Sequence, residues 1–295
     1  MDGVGVTADG FGLRGPRGWA FRNVAVAAEP GSLIAIAGPS GSGRTSLLLS
    51  LTGRMKATEG TATVGGARLP KQLTAVRRVA ALAHVPGVTD LEPALTVGEH
   101  LRERALLQRR FGGSVRELLR PRADRAAEAG RRIDAALDAA GLDREALPKG
   151  SRTAVRDLDR VEALRLSVAL ALVAGPRLLG VDDVDLKLAE AERAEVWALL
   201  RSLAEAGTTI LAVCAEAPEG AVTVATGAAA VPSGDRRTGP EDDRPADPED
   251  DHEAGHAAGP KADQEAAPAA RPHAATEDAP EEEEEPDALA ETRRS

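Results

Sequence analysis

The chain has 295 residues, 42% of them hydrophobic, and a formal net charge of −10, enough for one or two cored domains. Its single cysteine, Cys214, excludes an internal disulfide and fits a reducing, cytoplasmic setting; no apolar run reaches the ~18–20 residues of a membrane span, and no basic-then-apolar leader opens the chain. The charge is uneven: from Pro232 onward 20 acidic residues face 7 basic ones, so residues 232–295 are expected to form a disordered acidic tail and 1–231 the folded, slightly basic domain.

In chain order, residues 4–8 and 24–28 alternate or cluster like short strands. Residues 32–37 form a compact apolar run ended by Gly38-Pro39, which predicts a buried strand, and 45–51 supply a helical apolar run. Residues 61–64 before Gly65-Gly66 predict a hairpin strand, and 79–85 another strand. From about 96 to 172 the pattern turns helical, with Leu101, Leu106, Leu107, Ile133, Leu137 and Leu142 at three- and four-residue spacing. Residues 178–181 and 209–213 return to buried parallel-strand character around a crossover helix at 188–206, and 221–225 supply a last strand. The sequence therefore predicts an α/β core with an inserted helical subdomain.

Two motifs carry chemistry. Gly38-Pro39-Ser40-Gly41-Ser42-Gly43-Arg44-Thr45, followed by Ser46, has the spacing of a phosphate loop, with Arg44 where Lys is expected. Its glycines let successive backbone N–H groups turn inward, the helix that follows adds its positive end, and the Thr45 hydroxyl can sit on Mg²⁺. Arg44 attracts phosphate, but its planar fork suits the γ-phosphate less well than a compact ammonium. Further on, Leu178-Leu179-Gly180-Val181 ends in Asp182-Asp183. A carboxylate at a strand end beside a phosphate loop holds Mg²⁺, the role expected of Asp182; Asp183 would then face the γ-phosphate as a base orienting water.

The order of phosphate loop, strand, helical insertion, apolar strand with two acids, crossover helix and strand resembles an ABC transporter ATPase over roughly residues 4–225. Glu29-Pro30-Gly31-Ser32-Leu33 and Ala169-Leu170-Ala171-Leu172-Val173-Ala174-Gly175-Pro176 add to the likeness. The resemblance implies a P-loop NTPase fold of that type, ATP and Mg²⁺ as cofactors, a second nucleotide-binding subunit, a separate transmembrane permease docked near residues 87–101, and a place at the inner face of the cell membrane. It implies an exporter subunit with ATPase activity through Asp183.

The chain departs from the family pattern at several positions. The signature segment falls on Leu158-Asp159-Arg160-Val161-Glu162, Gly87 stands at the switch glutamine, Asp183 at the catalytic glutamate, Ala215 at the switch histidine and Ala189 at a loop aspartate. With no Tyr in the chain, adenine stacking would fall to Trp19 or Phe11, unless both are core aromatics. The groups expected to bind phosphate and Mg²⁺ remain while those that close a dimer and position water are altered, which predicts slow hydrolysis or a nucleotide-binding pseudo-ATPase. A P-loop kinase is disfavoured by the helical insertion. Arg residues in that insertion are interleaved with acids, so no nucleic-acid partner is expected.

Overall fold

The computed structural model describes residues 2–111 and 121–227. The expected tail, 232–295, lies outside them. Two sheets and six helices, with two short 3₁₀ turns at Gly150–Arg152 and Val155–Asp157, make up the described part. One sheet is antiparallel: β1 (Val6–Gly15), β2 (Gly18–Ala28), β4 (Glu59–Val64) and β5 (Ala67–Leu69), in the order β2-β1-β4-β5. The other runs β6-β7-β8-β3-β9, from β6 (Ala80–Ala83), β7 (Leu178–Val181), β8 (Thr209–Cys214), β3 (Leu33–Ala37) and β9 (Val222–Ala225), all paired in parallel.

The side chains of this second sheet sort by pleat, as period-two geometry requires. Ile34, Ile36, Leu178, Leu211 and Val213 pack on one face with α1 (Arg44–Leu51) and the antiparallel sheet. Ala35, Leu179, Val181, Ile210 and Ala212 pack on the other with α5 (Arg160–Leu172) and α6 (Glu190–Glu205). Strands buried on both faces read as unbroken apolar runs, which is why β3, β7 and β8 were legible as such. The helical insertion contains α3 (Val97–Phe111) and α4 (Arg122–Ala140), whose Val97, Leu101, Ala136, Leu137 and Ala140 join the second core.

Three expectations change at their edges. β1 and β2 are longer than the apolar clusters at 4–8 and 24–28, forming a paired ribbon with register shifts around Phe11 and Leu13. The segment expected as a strand from residue 79 begins as α2 (Leu73–Val79), and the strand is only Ala80–Ala83. The segment 96–172 is not helical throughout: Gly141, at φ 64, ends α4, and irregular backbone and 3₁₀ turns separate it from α5.

Candidate nucleotide site

β3, β8 and β7 are neighbours, so their carboxyl ends bring together the loop after Ala37, the turn after Cys214 and Asp182-Asp183. Open parallel sheets bind ligands at this edge. The loop from Gly38 to Gly43 has left-handed or extended backbone at Gly38 (φ 153), Gly41 (φ 80) and Gly43 (φ 85). It is closed by Ser42 N–H donating to the Pro39 carbonyl at 3.2 Å and by the Ser42 and Thr226 hydroxyls 2.7 Å apart.

Gly43 caps α1 with no side-chain hydrogen bond. The first backbone N–H groups of the helix, at Arg44, Thr45 and Ser46, are therefore left for an anion, and the helix end adds its partial positive charge. Gly43 cannot be replaced cheaply: a Cβ there would stand 1.8 Å from the Ala20 carbonyl oxygen, at a φ that L-residues rarely adopt. Gly43→Ala is expected to destabilise the chain by more than about 2 kcal/mol, read as a lower urea midpoint. A midpoint unchanged from the parent would show that the loop yields easily.

The central contact joins the two motifs. Thr45 Oγ1 donates to Asp182 Oδ2 at 2.7 Å, and Asp182 Oδ1 accepts the Asp183 backbone N–H at 3.0 Å. Asp182 is 1% exposed. Burial pushes its carboxyl above the ordinary carboxylate range, and the neighbouring Asp183 charge adds to this; the Thr45 and Asp183 donors oppose it. A buried carboxylate with a hydroxyl beside it is a donor set that suits a hard divalent cation. With one carboxylate and one hydroxyl from the protein, such a cation completes its shell with phosphate oxygens and water, as Mg²⁺ does. Among the described residues no group of three or more His, Cys, Asp or Glu is arranged for a metal by itself. The residues thus fit a magnesium-bound nucleotide better than a free metal.

Arg44 does not point out toward solvent. Its Nη1 donates to the Cys214 carbonyl at 2.6 Å, and its Nη2 lies 3.9 Å from Asp183 Oδ1; the two side chains are only 13% and 27% exposed. Arg44 thus bridges the end of β8 to the carboxylate expected to orient water. Asp183 itself sits at φ 46. Next along, Asp185 Oδ2 accepts the Ala215 backbone N–H at 2.7 Å, tying the turn after β7 to the turn after β8. Asp185 was not singled out by sequence reasoning; a third acid within four residues was the available signal. His84, which follows β6 at φ 47, lies near enough to Asp182, Asp183 and Asp90 to feel their charges, although burial dominates and lowers its pKa. Gly87, by contrast, is held by its N–H to Asp90 Oδ2 at 2.8 Å.

The other candidate residues separate clearly. Phe11 is fully buried and packs on Phe21 with ring centroids 5.8 Å apart, so it is a core residue and not a stacking surface. Trp19 is half-buried, with the Arg14 and Arg22 guanidinium carbons 5.7 and 5.5 Å from its ring centroid. Asp159 is a helix cap: its Oδ1 accepts the Glu162 N–H at 2.7 Å, while Glu162 Oε2 accepts the Asp159 N–H at 2.9 Å. Arg160 donates to the Lys187 carbonyl at 3.1 Å. Cys214 is buried, and burial pushes its thiol up to about 12, which makes it inert.

Comparison with known proteins agrees with this fold. A Nod factor export ATP-binding protein I from Cupriavidus metallidurans is 31% identical over 189 residues, covering 64% of this chain and 55% of the relative. A Fe(3+) ions import ATP-binding protein FbpC from Streptomyces avermitilis is 32% identical over 181 residues, covering 61% and 46%. The chain spans about half the length of the curated relatives it matches. A dimeric ATP-binding cassette solved in a post-hydrolysis state with ADP and phosphate has the same fold, with a TM-score of 0.53 and 22% identity over 72% of this chain and 88% of that one. Residues 21–185, more than half of the chain, match the ABC transporter family, and the chain belongs to that family as one of its ATP-binding domains.

Proposed function

We propose that the chain is the ATP-binding subunit of an ABC-type membrane exporter. The observation that carries this reading is the Thr45–Asp182 hydrogen bond of 2.7 Å beneath an uncapped helix N-terminus. The backbone N–H groups from Gly41 to Ser46 would cradle the β- and γ-phosphates, and Pro39 and Ser40 would form the outer wall of the loop. Thr45 and Asp182 would hold Mg²⁺, which when bound neutralises charge on the phosphate oxygens. Asp183 would orient a water once Arg44 turned from it to the phosphates. Trp19 would offer a face for adenine after its flanking arginines moved aside.

The exporter sense is supported by the Nod factor export relative, which is named for export. Family membership supports a second nucleotide-binding subunit and a separate permease, docked near residues 87–101 at the inner face of the membrane. Among the described residues no helix is long and apolar enough to cross a membrane. The tagged full chain, extracted from its native membranes, is expected to carry with it a polytopic membrane protein and to release phosphate faster in that complex than alone. Recovery without any membrane-spanning protein would contradict this reading.

A second reading, nucleotide binding without turnover, is favoured by two contacts. Asp183 is held 3.9 Å from Arg44, and the Asp159 carboxylate is spent on its own helix at the place where the family presents a signature to the partner's phosphate.

A further inference from the structure

β8 ends in one peptide group that is held from both sides. The Cys214 carbonyl accepts from Arg44 Nη1 at 2.6 Å, and the N–H of the same peptide, on Ala215, donates to Asp185 Oδ2 at 2.7 Å. Strand alternation sets this up, because successive residues of β8 present their backbone groups to β7 and to β3 in turn. Val213 faces β7, and its carbonyl accepts the Val184 N–H at 3.0 Å, so the ladder runs on past the end of β7. Ala215 is the next residue with that facing, and the Asp185 carboxylate takes its N–H. Cys214, between them, faces β3 and the phosphate loop, where Arg44 opens α1.

Of the two acceptors near Arg44, only the carbonyl is at hydrogen-bond distance. Asp183 Oδ1 stands 3.9 Å from Nη2, beyond hydrogen-bond reach. A carboxylate at the N–H end of a peptide polarises the group and makes the carbonyl at its other end a stronger acceptor. It also fixes the peptide plane, and with it the direction in which the carbonyl points. Asp185 has no competing cation: it is half-buried and forms no ion pair among the described residues. The Cys214 thiol registers both charges: after burial itself, Asp185 raises its pKa and Arg44 opposes the rise.

We propose that Asp185 is a positioning residue: through the Cys214–Ala215 peptide it holds Arg44 back from the phosphates, so that nucleotide must draw the guanidinium off the end of β8 before Arg44 can serve it. This rests on reading the loop as a nucleotide site, and it adds a residue that touches no ligand. The apparent affinity of such a site is reduced by the fraction of molecules in which Arg44 is free. Loosening the clamp therefore tightens nucleotide binding, and it does so only while residue 44 is an arginine that reaches the peptide. Loss of Asp185 leaves no buried orphan donor, because Ala215 is exposed and water can take its N–H.

The test has two arms, both on the full chain with the thermal midpoint as the check on folding. Without nucleotide, the Arg44 guanidinium N–H signals are followed by NMR and assigned by their loss in Arg44→Lys. They are expected to exchange slowly with water in the parent and at the rate of a free arginine in Asp185→Ala. Signals unchanged by Asp185→Ala would overturn the proposal, whether or not the chain binds ATP. In the second arm, Mg-ATP is titrated by calorimetry. Asp185→Ala is expected to tighten binding at least about 5-fold, and Asp185→Asn, which keeps an acceptor for the Ala215 N–H without the charge, by less. In an Arg44→Lys background Asp185→Ala should change nothing, and Glu216→Gln, which removes an exposed acid of the same turn, should match the parent. Equal tightening in the Arg44→Lys background, or by Glu216→Gln, would mean a general effect of charge and would also overturn the clamp. Absence of Mg-ATP binding by the folded parent contradicts the nucleotide reading instead, and the Arg44 signals then decide the clamp alone.

Discussion

Replacing Arg44 by Lys is expected to raise steady-state phosphate release from Mg-ATP by roughly 100-fold, the scale on which single charge-stabilising groups act in catalysis. The reason is the guanidinium's present position. It donates to the Cys214 carbonyl at 2.6 Å and lies 3.9 Å from Asp183, so the group proposed to meet the phosphates is engaged with the carboxylate proposed to orient water. A lysine ammonium is compact and cannot fork between those two acceptors. It would leave Asp183 free and act as a point charge on the β- and γ-phosphates. A gain of 100-fold lowers the barrier by about 2.7 kcal/mol. Arg44→Gln is the control: it also frees Asp183 but removes the charge, so ATP binding should weaken and turnover should not rise. If Arg44→Lys leaves phosphate release at the wild-type rate, the limit lies elsewhere, and the absence of a signature Ser and Gly at 159–162 becomes the better explanation.

Asp182→Asn separates stability from function. Asn keeps one oxygen that can accept from Thr45, so the contact between the two motifs survives in shape, while its amide nitrogen replaces the oxygen that accepts the Asp183 N–H, a loss of about 1 kcal/mol set against the gain below. It loses the negative charge that a cation needs, and Mg-dependent ATP affinity is expected to fall roughly 100-fold. Stability should move the other way. A carboxyl whose pKa is raised in the folded state is penalised there when ionised. That penalty grows as pH rises through its unfolded value and is full above the folded one, so at pH 7 the native protein carries it. Removing the charge removes the penalty, and the thermal midpoint of Asp182→Asn should equal or exceed that of the parent near pH 7. Thr45→Ser, which retains the hydroxyl, should bind Mg-ATP nearly as well as wild type. A large drop in melting temperature for Asp182→Asn would mean that the carboxylate serves the fold and not a cation.

The phosphate loop and the Asp182 strand were readable because each is a local pattern. A run such as Ile34-Ala35-Ile36 buried on both faces has one interpretation, and glycines at 38, 41 and 43 mark a turn that needs unusual backbone. α2 was missed because seven residues with adjacent Arg77 and Arg78 carry no usable helical period. The ends of β1 and β2 were missed because glycines at 10, 12, 15 and 18 interrupt their alternation, while the pairing that holds them is between strands and not along one. The role of Asp159 was open in sequence, yet Glu162 three residues on was the sign of a reciprocal cap. Phe11 could not be told from a ligand-facing aromatic without knowing that Phe21 lies across from it. The Arg44 bridge was not legible at all: it joins residues 44, 183 and 214, which only the strand order β7-β8-β3 brings together.

The most direct test of the account is a calorimetric titration of ATP into the folded full chain, with Mg²⁺ and then with a chelator. The account predicts saturable one-to-one binding in the micromolar range that weakens without Mg²⁺ and is lost in Thr45→Ala. No binding by wild-type chain shown to be folded, or binding indifferent to Mg²⁺ and to Thr45→Ala, would contradict the assignment of Thr45 and Asp182 as the heart of a nucleotide site.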